Sequence, residues 1–148
     1  MVKTVMIVGG QRKNLPFFWL AEFPGTERGK MYCQINAGGL YGLQSYVAQV
    51  EVDISKGLPC FDMVGLLDSE VREARERLRV SLHHINAALP AEKITVNYSP
   101  AGIVKSGTSF DLPTALVILA AQGKVPPERL RELWAVGEVG LDARIKQV

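Results

Sequence analysis

From Ser45 to Ile54 the chain alternates: Tyr46, Ala48, Val50, Val52 and Ile54 fall on one side, and Ser45, Gln49, Glu51 and Asp53 on the other. A period of two marks a strand with one wet face, and Val47 is the apolar exception on that face. Met31 to Ala37 is expected to form a hairpin with this strand through the Gly38-Gly39 and Tyr41-Gly42 region. After Lys56-Gly57, Leu58 to Val64 reads as a third strand with Phe61 and Met63 on a shared face, ended by Gly65. The spacing then changes. Val71, Ala74, Leu78, Ser81, Leu82, Ile85 and Ala88 recur at three and four residues, which predicts an amphipathic helix from Asp68 to about Leu89. Asp68 is its natural cap, and Glu70 suits the positive end of the helix dipole.

Pro90 closes that helix, and Ile94, Val96 and Tyr98 alternate with Thr95 and Asn97 in a further strand. A Gly-rich polar loop follows, and then a helix from about Phe110 to Gln122 that is apolar nearly all round and so predicted to be buried on most sides. Pro113 sits in its tolerant first turn and Gly123 supplies the C-cap. Pro126 to Leu130 suggests a short helical turn, and Leu133 to Val139 and Arg144 to Val148 suggest final strands. The order β-β-β-α-β-α-β-β predicts an α+β sandwich with helices against one face of a mixed sheet.

With 148 residues and 47% hydrophobic content the chain can build one core. No apolar run approaches the ~20 residues of a membrane helix, so no membrane partner is expected. The net charge of +2 divides unevenly: residues 1 to 30 carry +3 and the remainder −1. A nearly neutral body leaves no general nucleic-acid footprint. Cys33 and Cys60 lack CxxC spacing and have no His/Cys cluster, which argues against a metal site or disulfide framework and fits a reducing cytoplasm. Neither an export signal nor a complete GxGxxG occurs in the first thirty residues. Glu27-Arg28-Gly29-Lys30 before Met31 can be encoded as GAG-AGG-GGA-AAG, which resembles a bacterial ribosome-binding site. Residues 1 to 30 are therefore expected to be a non-native or mis-started leader, with the domain running from 31 to 148.

The loop at 102 to 109 is the first place to look for chemistry. Gly102, Gly107 and Ser109 fit GxxxxGK[ST], but Thr108 stands at the lysine position and cannot supply its charge to a triphosphate. The residues read either as a turn shaped by the glycines with Ser109 capping the helix, or as a weak anion site at the helix N-terminus. On the preceding helix Arg72, Arg75, Arg77 and Arg79 interleave with Glu73 and Glu76, and Glu73 with Arg77 forms an i,i+4 pair. That face is either solvated or a phosphate contact. His83 and His84 lie about 100° apart around the axis, too far to share a metal easily.

The segments at 50–79 (VEVDISKGLPCFDMVGLLDSEVREARERLR), 93–125 (KITVNYSPAGIVKSGTSFDLPTALVILAAQGKV) and 133–148 (LWAVGEVGLDARIKQV) resemble the N-terminal domain of the magnesium-chelatase-like, ComM-type AAA+ ATPases. The likeness runs from Met31, the family's usual start, to Val148. It implies a ribosomal-protein-S5-domain-2-like fold, shared with the proteolytic domain of Lon-type proteases. It also implies a following ATPase domain that would hold ATP and Mg. The whole assembly would be a homo-hexamer acting in DNA branch migration during natural transformation. No Walker A, Walker B or arginine finger occurs in the 148 residues, so this chain is expected to need no cofactor and hydrolyse nothing alone. Where the family reads GLPDS, this chain has Gly65-Leu66-Leu67-Asp68-Ser69 and lacks the proline.

Similarity to the Lon-type DGPSAG pattern would place Ser109 as a nucleophile. A serine needs a base, and the late candidate Lys146 is expected on a strand rather than on the helix that would present it. Asp111 would also sit beside any oxyanion. The resulting expectation is a non-catalytic accessory domain that contacts its own AAA+ domain, neighbouring subunits or DNA. Lys105, Gly107, Thr108, Arg72, Arg75 and Arg79 are its candidate phosphate contacts; the alternative is a vestigial or active serine-lysine hydrolase using Ser109.

Overall fold

The alternation in the second strand sets the whole arrangement. In the computed structural model, which describes residues 32–146 and Val148, Ala48, Val50, Val52 and Ile54 are buried while Val47 is 58% exposed. The elements are β1 (Tyr32–Tyr41), β2 (Gln44–Ser55), β3 (Cys60–Val64), α1 (Ser69–His84), β4 (Lys93–Ser99), α2 (Asp111–Ala121) and α3 (Pro127–Leu130), then the short strands β5 (Trp134–Ala135), β6 (Glu138–Val139) and β7 (Ile145–Lys146). Five strands form a sheet in the order β3-β4-β2-β1-β5, and β6 with β7 forms a separate ribbon. The β1–β2 and β2–β4 pairs are antiparallel, whereas β3–β4 and β1–β5 are parallel. The predicted mixed α+β sheet is therefore present. The leader assigned to residues 1 to 30 lies outside the described residues.

The hairpin forms as expected, but its strands run through Gly38-Gly39 and turn at Gly42, whose φ of +61° favours glycine. Asp68 caps α1 by accepting the Val71 amide at 2.9 Å. The helix ends at His84, short of Leu89, because Asn86 takes a left-handed φ of +57°. The Asn86 and Ala87 amides then return to the His83 and Leu82 carbonyls, the double closure of a Schellman motif. Gly123 ends α2 in the same way, with its own amide and that of Lys124 on the Ala120 and Leu119 carbonyls.

Every residue of α2 is buried, and it packs on β1 and β2. Its Thr114 hydroxyl donates to the Phe110 carbonyl at 2.6 Å and so accepts from the Tyr98 hydroxyl at 2.9 Å. The Tyr98 ring meets Phe110 edge-on, and burial raises the Tyr98 phenol well above its ordinary value. Because Leu119 is fully enclosed, Leu119→Ala is expected to cost about 2–5 kcal/mol in urea unfolding. Val47→Thr on the wet face should change stability by no more than about 0.5 kcal/mol. Equal losses at both positions would contradict this assignment of faces.

Candidate functional site

The loop between β4 and α2 is held by two strands of backbone bonding. The Lys105 amide donates to the Leu66 carbonyl at 2.8 Å, and the Asp68 amide donates to the Lys105 carbonyl at 3.0 Å, which ties the loop to the start of α1. Leu67, which stands where the resemblance leads one to expect proline, is buried and bridges to Lys105. On the far side the Gly137 amide donates to the Ser109 carbonyl at 3.0 Å, and the Leu112 amide donates to the Gly137 carbonyl at 2.9 Å. A Cβ on Gly137 would lie 3.1 Å from Leu112 Cδ2, so this close docking suits glycine.

These bonds overturn the expectation that Ser109 caps α2. The cap position is Phe110, in right-handed helical conformation and without a side-chain cap, because the early amides already have backbone partners. The Asp111 amide donates to the Thr108 carbonyl, the Leu112 amide to Gly137, and Pro113 has no N–H. The anion-site reading at the helix N-terminus is weakened for the same reason: the Asp111 and Leu112 donors are used, and a carboxylate, Asp111, stands at the helix start. Together with Thr108 at the lysine position, this leaves a loop that does not fit a triphosphate.

Asp111 is the most constrained ionisable group. Its Oδ2 accepts from Arg77 Nε at 2.7 Å and from the Val139 amide at 3.3 Å, and its Oδ1 accepts from Arg77 Nη2 at 3.0 Å. Burial pushes the carboxyl up, and Arg77 and the Val139 amide oppose that push. Arg77 was expected on the outer face beside Glu73. Its guanidinium instead turns inward to Asp111 and also donates to the Glu70 carbonyl, with Glu73 a distant 3.8 Å partner. Sequence reasoning missed this pair, although a lone acid opening a wholly apolar helix demands a cation.

Lys105 is fully buried, and its ammonium donates to the Pro100 carbonyl of its own loop. It cannot meet a phosphate from there, which corrects its assignment as a DNA contact. Gly107 adopts φ +80°, and Thr108 donates to Glu138 Oε2 at 2.9 Å, so its hydroxyl is engaged inside the protein. Lys146 lies on β7 as expected and pairs with Glu138 Oε1 at 3.6 Å. Among the described residues no amine or imidazole bonds to the Ser109 hydroxyl.

The remaining candidates separate from the loop. Arg72 and Arg75 line an open cleft of about 570 Å³ with Lys93, Asp62 and Thr95 beside β3. Arg72 Nε also donates to the Leu67 carbonyl at 3.3 Å, and Arg79 is drawn to Glu76 at 3.0 Å. His83 and His84 are exposed, Cys60 is exposed and Cys33 buried, and no metal-ligating cluster occurs among the described residues. No helix among the described residues is long and apolar enough to cross a membrane.

Burial lowers the Lys105 ammonium below its ordinary value of 10.5. The unfolded chain therefore holds that proton more tightly than the folded one, so stability rises as the pH climbs from the lowered value towards 10.5. Compared by urea unfolding across this range, the native protein should gain stability relative to Lys105→Met. Parallel pH profiles would contradict it.

The family model for "Subunit ChlI of Mg-chelatase" matches residues 50–148. YifB of Escherichia coli K12, an uncharacterised protein, is 41% identical over 107 residues, covering 72% of this chain and 21% of the relative. The competence protein ComM of Haemophilus influenzae is 38% identical, and the uncharacterised Rv2897c of Mycobacterium tuberculosis H37Rv is 36% identical, with the same coverage. The matched stretch thus spans about a fifth of these relatives. A family model over two thirds of the chain and relatives of this identity show that the chain belongs to the magnesium-chelatase-like family, of the ComM type.

Proposed function

We propose that this chain is the non-catalytic N-terminal accessory domain of a ComM-type AAA+ ATPase, with a ribosomal-protein-S5-domain-2-like fold. ATP and Mg belong to the ATPase domain that follows in such proteins. The full-length protein would act as a cytoplasmic homo-hexamer in DNA branch migration, and this domain would touch its ATPase domain, a neighbouring subunit or DNA. The observation that carries the reading is the internal commitment of the loop's ionic groups. Lys105 is turned onto Pro100, Asp111 onto Arg77, and Glu138 onto Thr108 and Lys146. A serine hydroxyl without a base is a poor nucleophile, which argues against the hydrolase alternative at Ser109.

Cationic contact falls instead to Arg72 and Arg75, which stand exposed beside Lys93. Glu76 pairs with Arg79 at 3.0 Å and more loosely with Arg75 at 3.8 Å, so Arg79 contributes least. Such contacts read phosphates without sequence preference. The 148-residue protein should bind a fluorescein-labelled single-stranded oligonucleotide weakly, with an affinity that falls steeply as salt rises from about 50 to 200 mM. The double substitution Arg72→Glu with Arg75→Glu should weaken it further. Binding indifferent to salt or to that substitution would remove DNA from the proposal, and casein turnover lost in Ser109→Ala would restore the hydrolase.

A further inference from the structure

β1 is paired with β2 along all ten of its residues, but on its other side β5 meets only Asn36 and Ala37. After Ala135 the chain turns away, and Gly137 is spent on Ser109 and Leu112. Among the described residues, the outer edge of Gly38 to Tyr41 therefore has no ladder partner. Alternate residues of such an edge direct both N–H and C=O outward. Exposed edges are commonly blunted by charge, proline or a bulge, and Gly-Gly-Leu-Tyr supplies no charge or proline.

A groove of about 920 Å³ follows this edge, with residues Ser106 to Ser109 along one wall and Trp134 and Val136 at the β5 end. Its lining includes Tyr46 from the helix side of the sheet and Val47 from the other, so it straddles the sheet plane where another strand would lie. The Tyr46 ring rests over Gly39, where a Cβ would overlap it, and its hydroxyl is buried without a partner. None of the side chains that line it is charged. The hairpin tip extends the surface with Leu40, Tyr41 and Leu43, each more than half exposed.

We propose that this edge and groove receive an extended, uncharged segment of a partner polypeptide, which adds a strand beside β1 in line with β5. The pairing of β5 with Asn36 and Ala37 shows where such a strand sits, and the unfilled edge continues it by four residues, about 13 Å of strand. A helix has no free backbone groups to offer this edge, and a nucleic acid would meet no cation in the lining. The inference goes beyond the proposed DNA contact and does not rest on the arginine face, so either can fail without the other.

The probe is a fluorescein-labelled, N-acetylated hexapeptide alternating valine and threonine, titrated into the 148-residue protein and followed by anisotropy. Saturable binding is expected, weakened at least tenfold by N-methylation of the alternate amides that face β1, since two or more backbone bonds are lost together. Leu40→Asp, at a surface position, should also weaken it while leaving the circular dichroism spectrum unchanged. Amide exchange should slow at alternate residues between Gly38 and Tyr41 when the peptide is present. Equal binding of the N-methylated peptide, no saturable binding, or self-association of the protein that excludes the probe would overturn the proposal.

Discussion

The ion pair between Arg77 and Asp111 is the constraint on which the site depends. α2 enters the core with every residue buried, and its first residue is an acid. An isolated buried carboxylate is too costly to keep ionised, so a partner must come from another element. Arg77 comes from the middle of α1 and meets both oxygens, and the Val139 amide of β6 completes the set. Two helices and a strand that are distant in sequence are thereby fixed against one another. The turn from Ser106 to Phe110, suspended between Lys105 and Asp111, inherits its position from them.

That geometry separates the chemistries the sequence had placed together. Around the loop the ionic groups are consumed in holding structure, and the side chains that line the groove beside it are uncharged. A group of cations, Arg72, Arg75 and Lys93, gathers at the opposite sheet edge beside β3. The module thus presents two chemically distinct edges, one cationic and one lined by uncharged side chains.

Much of the fold could be read from the chain. Alternation in β2 and β4, the Asp68 cap, Gly123 and the apolar run of α2 are local signals, and each appears where local physics puts it. Continued apolar spacing through Ile85 and Ala88 hid the end of α1, although Asn86 was a legible left-handed terminator. Ser109 looked like a cap because sequence carries no sign that the Thr108 and Gly137 carbonyls would already hold the Asp111 and Leu112 amides. Lys105 looked exposed because lysine usually is. Its burial arises from loop closure on Pro100 and pairing with Leu66, both tertiary events. The groove was illegible because it exists only where β5 stops two residues into its pairing with β1.

A double-mutant cycle in urea tests the central claim most directly, using Arg77→Met, Asp111→Leu and the pair together. If the ion pair organises the site, Arg77→Met leaves the buried Asp111 carboxylate without its cation and costs about 3–5 kcal/mol, Asp111→Leu costs less because Arg77 is partly exposed beside Glu73, and the double change recovers much of the Arg77→Met loss. The coupling should then exceed about 1 kcal/mol. Additive losses, or single changes no worse than an ordinary surface substitution, would show that α1, α2 and β6 are held by something else.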